Sequence, residues 1–336
     1  MLECECSKRM PEDKTPQQRA IRGDSPRKAR SLRQRQRPGA HSGREHDEDT
    51  DLIYGLHAAG EALRNPRRRI LSVHATRNAA RRLNAALSAR GIEPEIVQPR
   101  DLERILGSDA VHQGILVRAT PLPAPALRDL ALRPDSLLVL LDQVTDPHNV
   151  GAILRSACAF GADAVITTAR HAPRRSPVML KAASGALEHV PLVIVTNLAR
   201  AIESLKEKGC TILGLDSEAP GILDCAMPLS GPVALVLGAE GRGLRQKTRS
   251  LCHALLRLDM PGPIRSLNVS NAAATALFAI VESRRRAREG AGTAPAEERT
   301  ATAAALVEAD THKDTKTDPD THDRETRHAD GREQNH

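Results

Sequence analysis

Three short stretches of the chain combine residue types that ordinary helices and strands do not need together. The first, "DPHNVGAILRSACAFGA", sets Asp146, Pro147 and Asn149 ahead of a helical run that carries Arg155 about two turns inside. As local structure, Asn149 would serve as an N-cap and Arg155 as a solvated helix residue. As chemistry, an amide and a planar guanidinium at a loop–helix junction can hold and orient an oxygen-rich ligand. The second stretch, "GAEGRGL", surrounds Glu240 with Gly238, Gly241 and Gly243. Its spacing is not G-x-G-x-x-G, and it follows the last strands rather than the first, so it is not a dinucleotide fingerprint. The third, "PGPIRSLNVSN", places Arg265, Ser266, Asn268, Ser270 and Asn271 where an alanine-rich helix should be starting. Capping accounts for one or two of these, because Ser and Asn accept hydrogen bonds from the unpaired N–H groups of a first turn. The remainder point to a ligand held partly by backbone.

Each stretch is preceded by a strand-like run: "LLVLLD", "VALVLG" and "ALLRLDM" respectively. Together with "DAVITT", "VPLVIV" and "CTILGL", these near-continuous apolar runs between Ser136 and about Arg286 predict a parallel sheet covered on both faces. Ligands of such sheets gather in the loops beyond the carboxyl ends of the strands, which is where the three stretches fall. Upstream, Asp51 to about Thr120 alternates helical "LHAAGEALR", strand-like "RILSVHA", helical "NAARRLNAALSARG", strand "EPEIVQP", a short helix at "RDLERIL" and strand "QGILVRA". That pattern predicts a smaller α/β domain over 51–120, with the proline-rich stretch as a linker over 121–135 and the larger domain over 136–287. Residues 1–49 and 288–336 are polar and lack hydrophobic periodicity, as expected of disordered tails. Within the first, "RKARSLRQRQR" reads equally as a basic arm for phosphate contacts or as a solubilising segment.

Composition narrows the function classes. A chain of 336 residues accommodates about two domains of roughly 150 residues each. Its net charge of +7 and pI near 9.3 favour a polyanionic partner. One Tyr, two Phe and no Trp leave little for modules that stack bases on aromatic platforms, so a nucleic acid would have to be held by Arg, Lys and backbone. The six cysteines form no C-x-x-C pair and have no His at zinc-ligand spacing, which argues against a disulfide framework or a metal site. "MLECECSKRMPEDK" lacks a signal-peptide core, and no apolar run approaches about 18 residues, so a soluble, cytoplasmic protein without a membrane partner is expected.

Taken in order, the three stretches resemble the motifs of the SpoU family of RNA ribose 2′-O-methyltransferases, within the SPOUT superfamily. "DPHNVGAILRSACAFGA" looks like its first motif, "LVLGAEGRGL" its second and "LDMPGPIRSLNVSNAAATALF" its third. "IYGLHAAGEAL" and "VHQGILV" resemble the two ends of the L30e-like substrate-binding domain in the branch that modifies guanosine in bacterial 23S, large-subunit ribosomal RNA. The resemblance covers about Asp51 to Arg286. It implies an α/β fold: a parallel-sheet SPOUT methyltransferase domain with a C-terminal trefoil knot, preceded by a small L30e-like α/β domain. It also implies S-adenosyl-L-methionine as cofactor, contacting Gly238, Leu258 and Leu267, with Asn149, Arg155, Glu240, Ser266 and Asn268 around the methyl transfer.

Within that resemblance, a guanidinium with a pKa above about 12 is a poor proton acceptor, so Arg155 is expected to clamp a backbone phosphate rather than act as base. Glu240 is expected to order its loop. Ribosomal RNA is the expected partner, with transfer RNA as the alternative substrate. A homodimer packed through the alanine-rich helix "NAAATALFAIVE" and the first-motif helix is expected as well. Two other classes stay open: a noncatalytic RNA-binding or ribosome-assembly factor that keeps the fold, and a doubly wound nucleotide-cofactor enzyme. The missing early glycine fingerprint argues against the latter.

Overall fold

Local patterning explains which segments became strands and which became helices in the computed structural model, which describes residues 50–172 and 175–291. The run "LLVLLD" forms β5, Leu137–Asp142, and all six of its residues are buried because helices cover both faces of the sheet. In the smaller N-terminal unit, β1 (Asp51–Tyr54), β2 (Ile70–Ala75), β3 (Glu95–Ile96) and β4 (Ile115–Ala119) form a sheet in the order β1-β4-β2-β3. Strands β1 and β2 both run antiparallel to β4. Helices α1 (Leu56–Arg64), α2 (Arg77–Arg82), α3 (Asn84–Ala89) and α4 (Pro99–Leu106) connect them. Strand β1 is absent from the sequence-based expectation, because four buried residues abutting a helix show no alternation. The helix expected over 78–91 divides at Leu83, whose φ of −104° and ψ of 10° leave the helical region.

The larger unit continues with β6 (Ala164–Thr168), β7 (Leu192–Val195), β8 (Thr211–Leu215), β9 (Gly221–Ile222), β10 (Val233–Gly238) and β11 (Ala254–Arg257). With β5 they form an all-parallel sheet in the order β7-β6-β5-β10-β8-β11-β9. Helices α5 (Pro147–Ala159), α6 (Pro177–Ala183), α7 (Leu198–Glu207), α8 (Gln246–Leu251) and α9 (Val269–Ala291) flank it. Alternation within β5 divides the core: Val139 and Leu141 face one cluster with Ile153 of α5 and Ile280 of α9, while Leu138 and Leu140 face another with Ile202 of α7. Each fully buried leucine contributes roughly 1.5–3 kcal/mol relative to exposure. Helix α9 continues to Ala291, so residues 288–291, expected in a polar tail, are helical. The basic arm at 27–37, Cys4, Cys6 and the rest of both tails lie outside the described residues.

Helix α5 is capped by Asp146, whose carboxylate accepts from the N–H groups of His148 and Asn149. This corrects the expectation that Asn149 is the cap; its side chain is left for another task. At Gly151 a Cβ would lie 2.5 Å from the Met179 carbonyl and 2.6 Å from the Ala182 Cβ, so α5 and α6 approach as closely as they do only because no side chain intervenes.

The two sheets are joined by buried charge as well as by a shared apolar cluster. Arg68 Nη1 donates to Asp51 Oδ2 at 2.7 Å and to the Thr120 carbonyl at 2.9 Å, and Nη2 donates to Glu188 Oε1 at 2.5 Å. Asn65 Nδ2 donates to Glu188 Oε2 at 2.8 Å. Arg175 Nε lies 3.7 Å from Asp51 Oδ1, and burial pulls its guanidinium below the ordinary value. Glu188 belongs to a single 3-10 turn, Ala186–Glu188, in the larger unit, so this cluster spans both halves of the chain.

Candidate active site

Beyond the carboxyl ends of β8, β10 and β11 lies a cleft of about 320 Å³. Gly238, Glu240, Leu258, Ser266 and Leu267 line it, five of the eight residues expected at the site, together with Gly241 and Gly243. Leu215, Leu237 and Val269 supply apolar surface, and Asp216, Ser217, Met260 and Arg265 complete the rim. The second-motif loop folds back on itself through an Ala239–Gly243 bridge, with Gly243 N donating to the Ala239 carbonyl at 2.8 Å. A Cβ on Gly238 would sit 2.2 Å from the Gly243 carbonyl carbon and 2.5 Å from the Leu244 nitrogen. Glycine is therefore required there for the loop to close.

Glu240 joins the three motifs. Its Oε1 accepts from Asn149 Nδ2 at 3.0 Å, from Asn268 Nδ2 at 2.7 Å and from the Val269 backbone N–H at 3.3 Å. Asn268 Nδ2 also donates to Asn149 Oδ1 at 3.0 Å, and Asn268 Oδ1 caps α9 by accepting from Ser270 N at 2.8 Å. One carboxylate oxygen thus holds the start of α5, the β10 loop and the start of α9 together. That arrangement uses the lone-pair capacity of Oε1 for structure, as three donors converge on it.

The sequence missed a second tie between motifs. Asp142 ends β5 with a fully buried carboxylate, which accepts from Arg245 N at 3.0 Å and from Arg245 Nε at 2.7 Å. The available signal was an acid closing an otherwise apolar strand. Asp216, just after β8, pairs with the Arg249 guanidinium through Nη1.

Arg155 stands apart. It is exposed on α5 and does not line the cleft. Six helical residues rotate it about 120° from Asn149 around the helix axis. Within one chain the structure brings Asn149, Glu240 and Asn268 into contact and leaves Arg155 outside that contact set. Ser266 is exposed on the cleft wall.

Residues 136–278 match the model of the SpoU rRNA Methylase family, and residues 52–125 match a model described as RNA 2′-O ribose methyltransferase substrate binding. The chain is 39% identical over 243 residues to the 23S rRNA (guanosine-2′-O-)-methyltransferase RlmB of Pectobacterium atrosepticum, a match covering 70% of this chain and 99% of that protein. The chain belongs to the SpoU rRNA methylase family. The corresponding enzyme of Ralstonia nicotianae is 40% identical over 240 residues, covering 69% of this chain and 96% of its own. Among solved structures, the SpoU methyltransferase AviRb of Streptomyces viridochromogenes, in complex with the cofactor AdoMet, superposes with a TM-score of 0.60 at 25% identity, covering 71% of this chain and 91% of that one. An AdoMet-bound rRNA methyltransferase from Sinorhizobium meliloti gives 0.59 at 25% identity, covering 71% and 88%.

The residues of the cleft fit such a cofactor. Leu258 and Leu267 offer flat apolar contact of the kind a purine needs, beside polar Ser217, Ser266 and Arg265 and the carboxylates of Asp216 and Glu240. The glycine-rich turn at 238–243 presents backbone to the cleft at Gly238, Gly241 and Gly243, where no side chain intervenes. Among the described residues no helix is long and apolar enough to cross a membrane.

Proposed function

We propose that this protein methylates the ribose 2′-hydroxyl of a guanosine in 23S ribosomal RNA, using S-adenosyl-L-methionine held in the cleft by Gly238, Leu258 and Leu267. The observation that carries the proposal is the convergence of Asn149, Asn268 and the Val269 N–H on Glu240 Oε1 beside that cleft. Three segments far apart in sequence are fixed to one another where a reacting ribose would lie, which is the pre-organisation an alignment-limited reaction needs. The close relation to the guanosine methyltransferases of Pectobacterium and Ralstonia supports the choice of substrate. The cofactor supplies an activated methyl on a sulfonium, so the protein's share is positioning and proton management.

In this reading Glu240 orders the site, while Asn149 and Asn268 orient the hydroxyl and its neighbours and Ser266 contacts the cofactor end of the cleft. Arg155 grips an RNA phosphate with its planar fork. The domain over 51–120 recognises the RNA, and the segment 258–268 is the threaded part of the C-terminal trefoil knot. The enzyme acts in the cytoplasm.

The reading includes a homodimer, with a change in the surface used. Ala273, Ala276 and Ala279 of α9, expected to face a partner, are buried inside their own chain. The exposed strip of α9 is instead Asn271, Thr275 and Phe278, and Phe278 remains 53% exposed although it packs edge-on against Phe160 at 6.4 Å. A dimer through α5 and this strip would cover Phe278 and bring Arg155 of one protomer near the cleft of the other.

The test is ribose-methylation mapping of ribosomal RNA from cells with and without the protein, paired with methyl transfer by the purified enzyme. Loss of one 2′-O-methylguanosine in 23S RNA is the expected result, and an unchanged map would overturn the proposal.

A further inference from the structure

A second cleft, of about 290 Å³, opens beyond the carboxyl ends of β6 and β7. Arg170, His171, Arg245 and Lys247 contribute to its lining, and no carboxylate does. Arg245 is tied to Asp142, whereas among the described residues no ion pair engages Arg170 or Lys247, both of which are exposed. The His171 ring is held by its Nδ1 at 2.9 Å from the hydroxyl of Thr168, itself only 5% exposed. Helix α7 begins at the same place. Its cap Asn197 takes the N–H of Arg200, so the N–H groups of Leu198 and Ala199, which line the cleft, have no intrahelical acceptor. Cationic forks and points, a fixed polar ring and the positive end of a helix make a surface for tetrahedral anions.

Its position identifies which anion. Along the carboxyl edge of the sheet, in the order β7-β6-β5-β10-β8-β11, this cleft occupies β7 and β6, Asn149 and Glu240 follow β5 and β10, and the cofactor cleft takes β10, β8 and β11. Along the sheet edge the basic cleft is offset by two strand spacings, about 10 Å, from the Asn149–Glu240 contact, and α7, whose start lines it, packs on the opposite face of the sheet from α5. Arg245 physically links the two regions, lining the cleft while gripping the end of β5. A strand leaving the reacting centre on the side opposite the methyl donor would reach it by crossing the carboxyl edge of the sheet.

We propose that this cleft is a subsite for the RNA phosphodiester backbone flanking the methylated nucleotide, held without base readout by Arg170, Lys247 and the start of α7. The inference rests on the RNA methyltransferase reading above and adds a site to it.

The test uses the full chain and transcribed 23S RNA, with the double variant Arg170→Ala/Lys247→Ala and, separately, Thr196→Glu, which sets a carboxylate on the exposed rim. Each should weaken RNA binding at least tenfold at low salt while leaving S-adenosylmethionine affinity by calorimetry unchanged. For two lost phosphate contacts the slope of log affinity against log salt should flatten by about 1.4 in the double variant. Saturating RNA should restore single-turnover methylation to within about twofold. The control pair Arg128→Ala/Lys208→Ala removes equal charge, with Lys208 at the far end of α7, and should lose little. Wild-type affinity and slope in the double variant, or an equal loss in the control, would overturn the subsite. Failure of the wild-type protein to methylate RNA would instead sink the underlying reading.

Discussion

Replacing Glu188 by alanine should destabilise the protein more than any change at the active site. The Arg68 guanidinium has no exposed side-chain surface, and the carboxylates of Asp51 and Glu188 are only 2% and 3% exposed. With Arg175, the cluster holds two cations and two anions. Glu188→Ala leaves two guanidinium groups sharing one buried carboxylate and strips acceptors from Arg68 and Asn65. Removing one partner of a buried pair costs about 3–5 kcal/mol, chiefly as the penalty on the charge left behind. A folded unit of this size loses about 2–4 °C of Tm per kcal/mol, so a fall of roughly 6–20 °C is expected. Glu188→Gln, which keeps an acceptor but not the charge, should fall between the variant and the parent. Scanning calorimetry and urea unfolding on Glu188→Ala, Arg68→Met and their combination would measure the coupling, since the double variant removes both charges at once. A Glu188→Ala loss below about 1 kcal/mol with no coupling would refute the assignment of this cluster as the junction between the two sheets.

At the site itself, Glu240→Ala leaves Asn149 Nδ2, Asn268 Nδ2 and the Val269 N–H without their shared acceptor, and cofactor affinity by calorimetry should drop at least tenfold, with Glu240→Gln recovering part of it. Gly238→Ala should abolish cofactor binding by forcing the 239–243 loop off a Cβ that would lie 2.2 Å from its backbone; retained binding would show that the loop is not closed as described. Arg155→Ala should cut turnover severely with cofactor affinity within a few fold, and Arg155→Lys should restore little because a point charge does not reproduce a fork; a wild-type rate would remove Arg155 from the mechanism. Burial pushes the Cys210 and Cys252 thiols up to about 11 from an ordinary value near 9. Their neutral forms are favoured in the folded state, so their contribution is intact below pH 9 and lost as pH rises towards 11. Urea midpoints should decline over that window, less steeply in Cys210→Ala, and identical slopes would contradict the burial argument.

Much of the fold could be read in the linear chain because its periodicities are local. The runs "LLVLLD" and "VALVLG" coincide with β5 and β10, and "LHAAGEALR" coincides with α1. Apolar residues buried on both faces of a parallel sheet need no partner to be recognised. Helix caps were less legible. Asp146 and Asn149 are equally good candidates by type, and the choice between them depended on where Glu240 lies, 91 residues away. Strand β1 went unseen because its burial comes from pairing with β4 across the whole smaller unit, with Asp51 opposite Ala119.

By itself the sequence determined the alternation of strands and helices, the placement of chemistry in loops after strands, and the family to which those loops belong. Each of these follows from residue type and short-range spacing. The tertiary structure decided which of those residues meet. It gathered Asn149 and Asn268 on one oxygen of Glu240 and left Arg155 exposed, about 120° around its helix from Asn149. It buried Ala273, Ala276 and Ala279 of α9, and it paired Arg68 with a carboxylate 120 residues distant. Contacts of that range depend on strand order, because the crossovers of a parallel sheet set neighbours in space that sequence separation does not record.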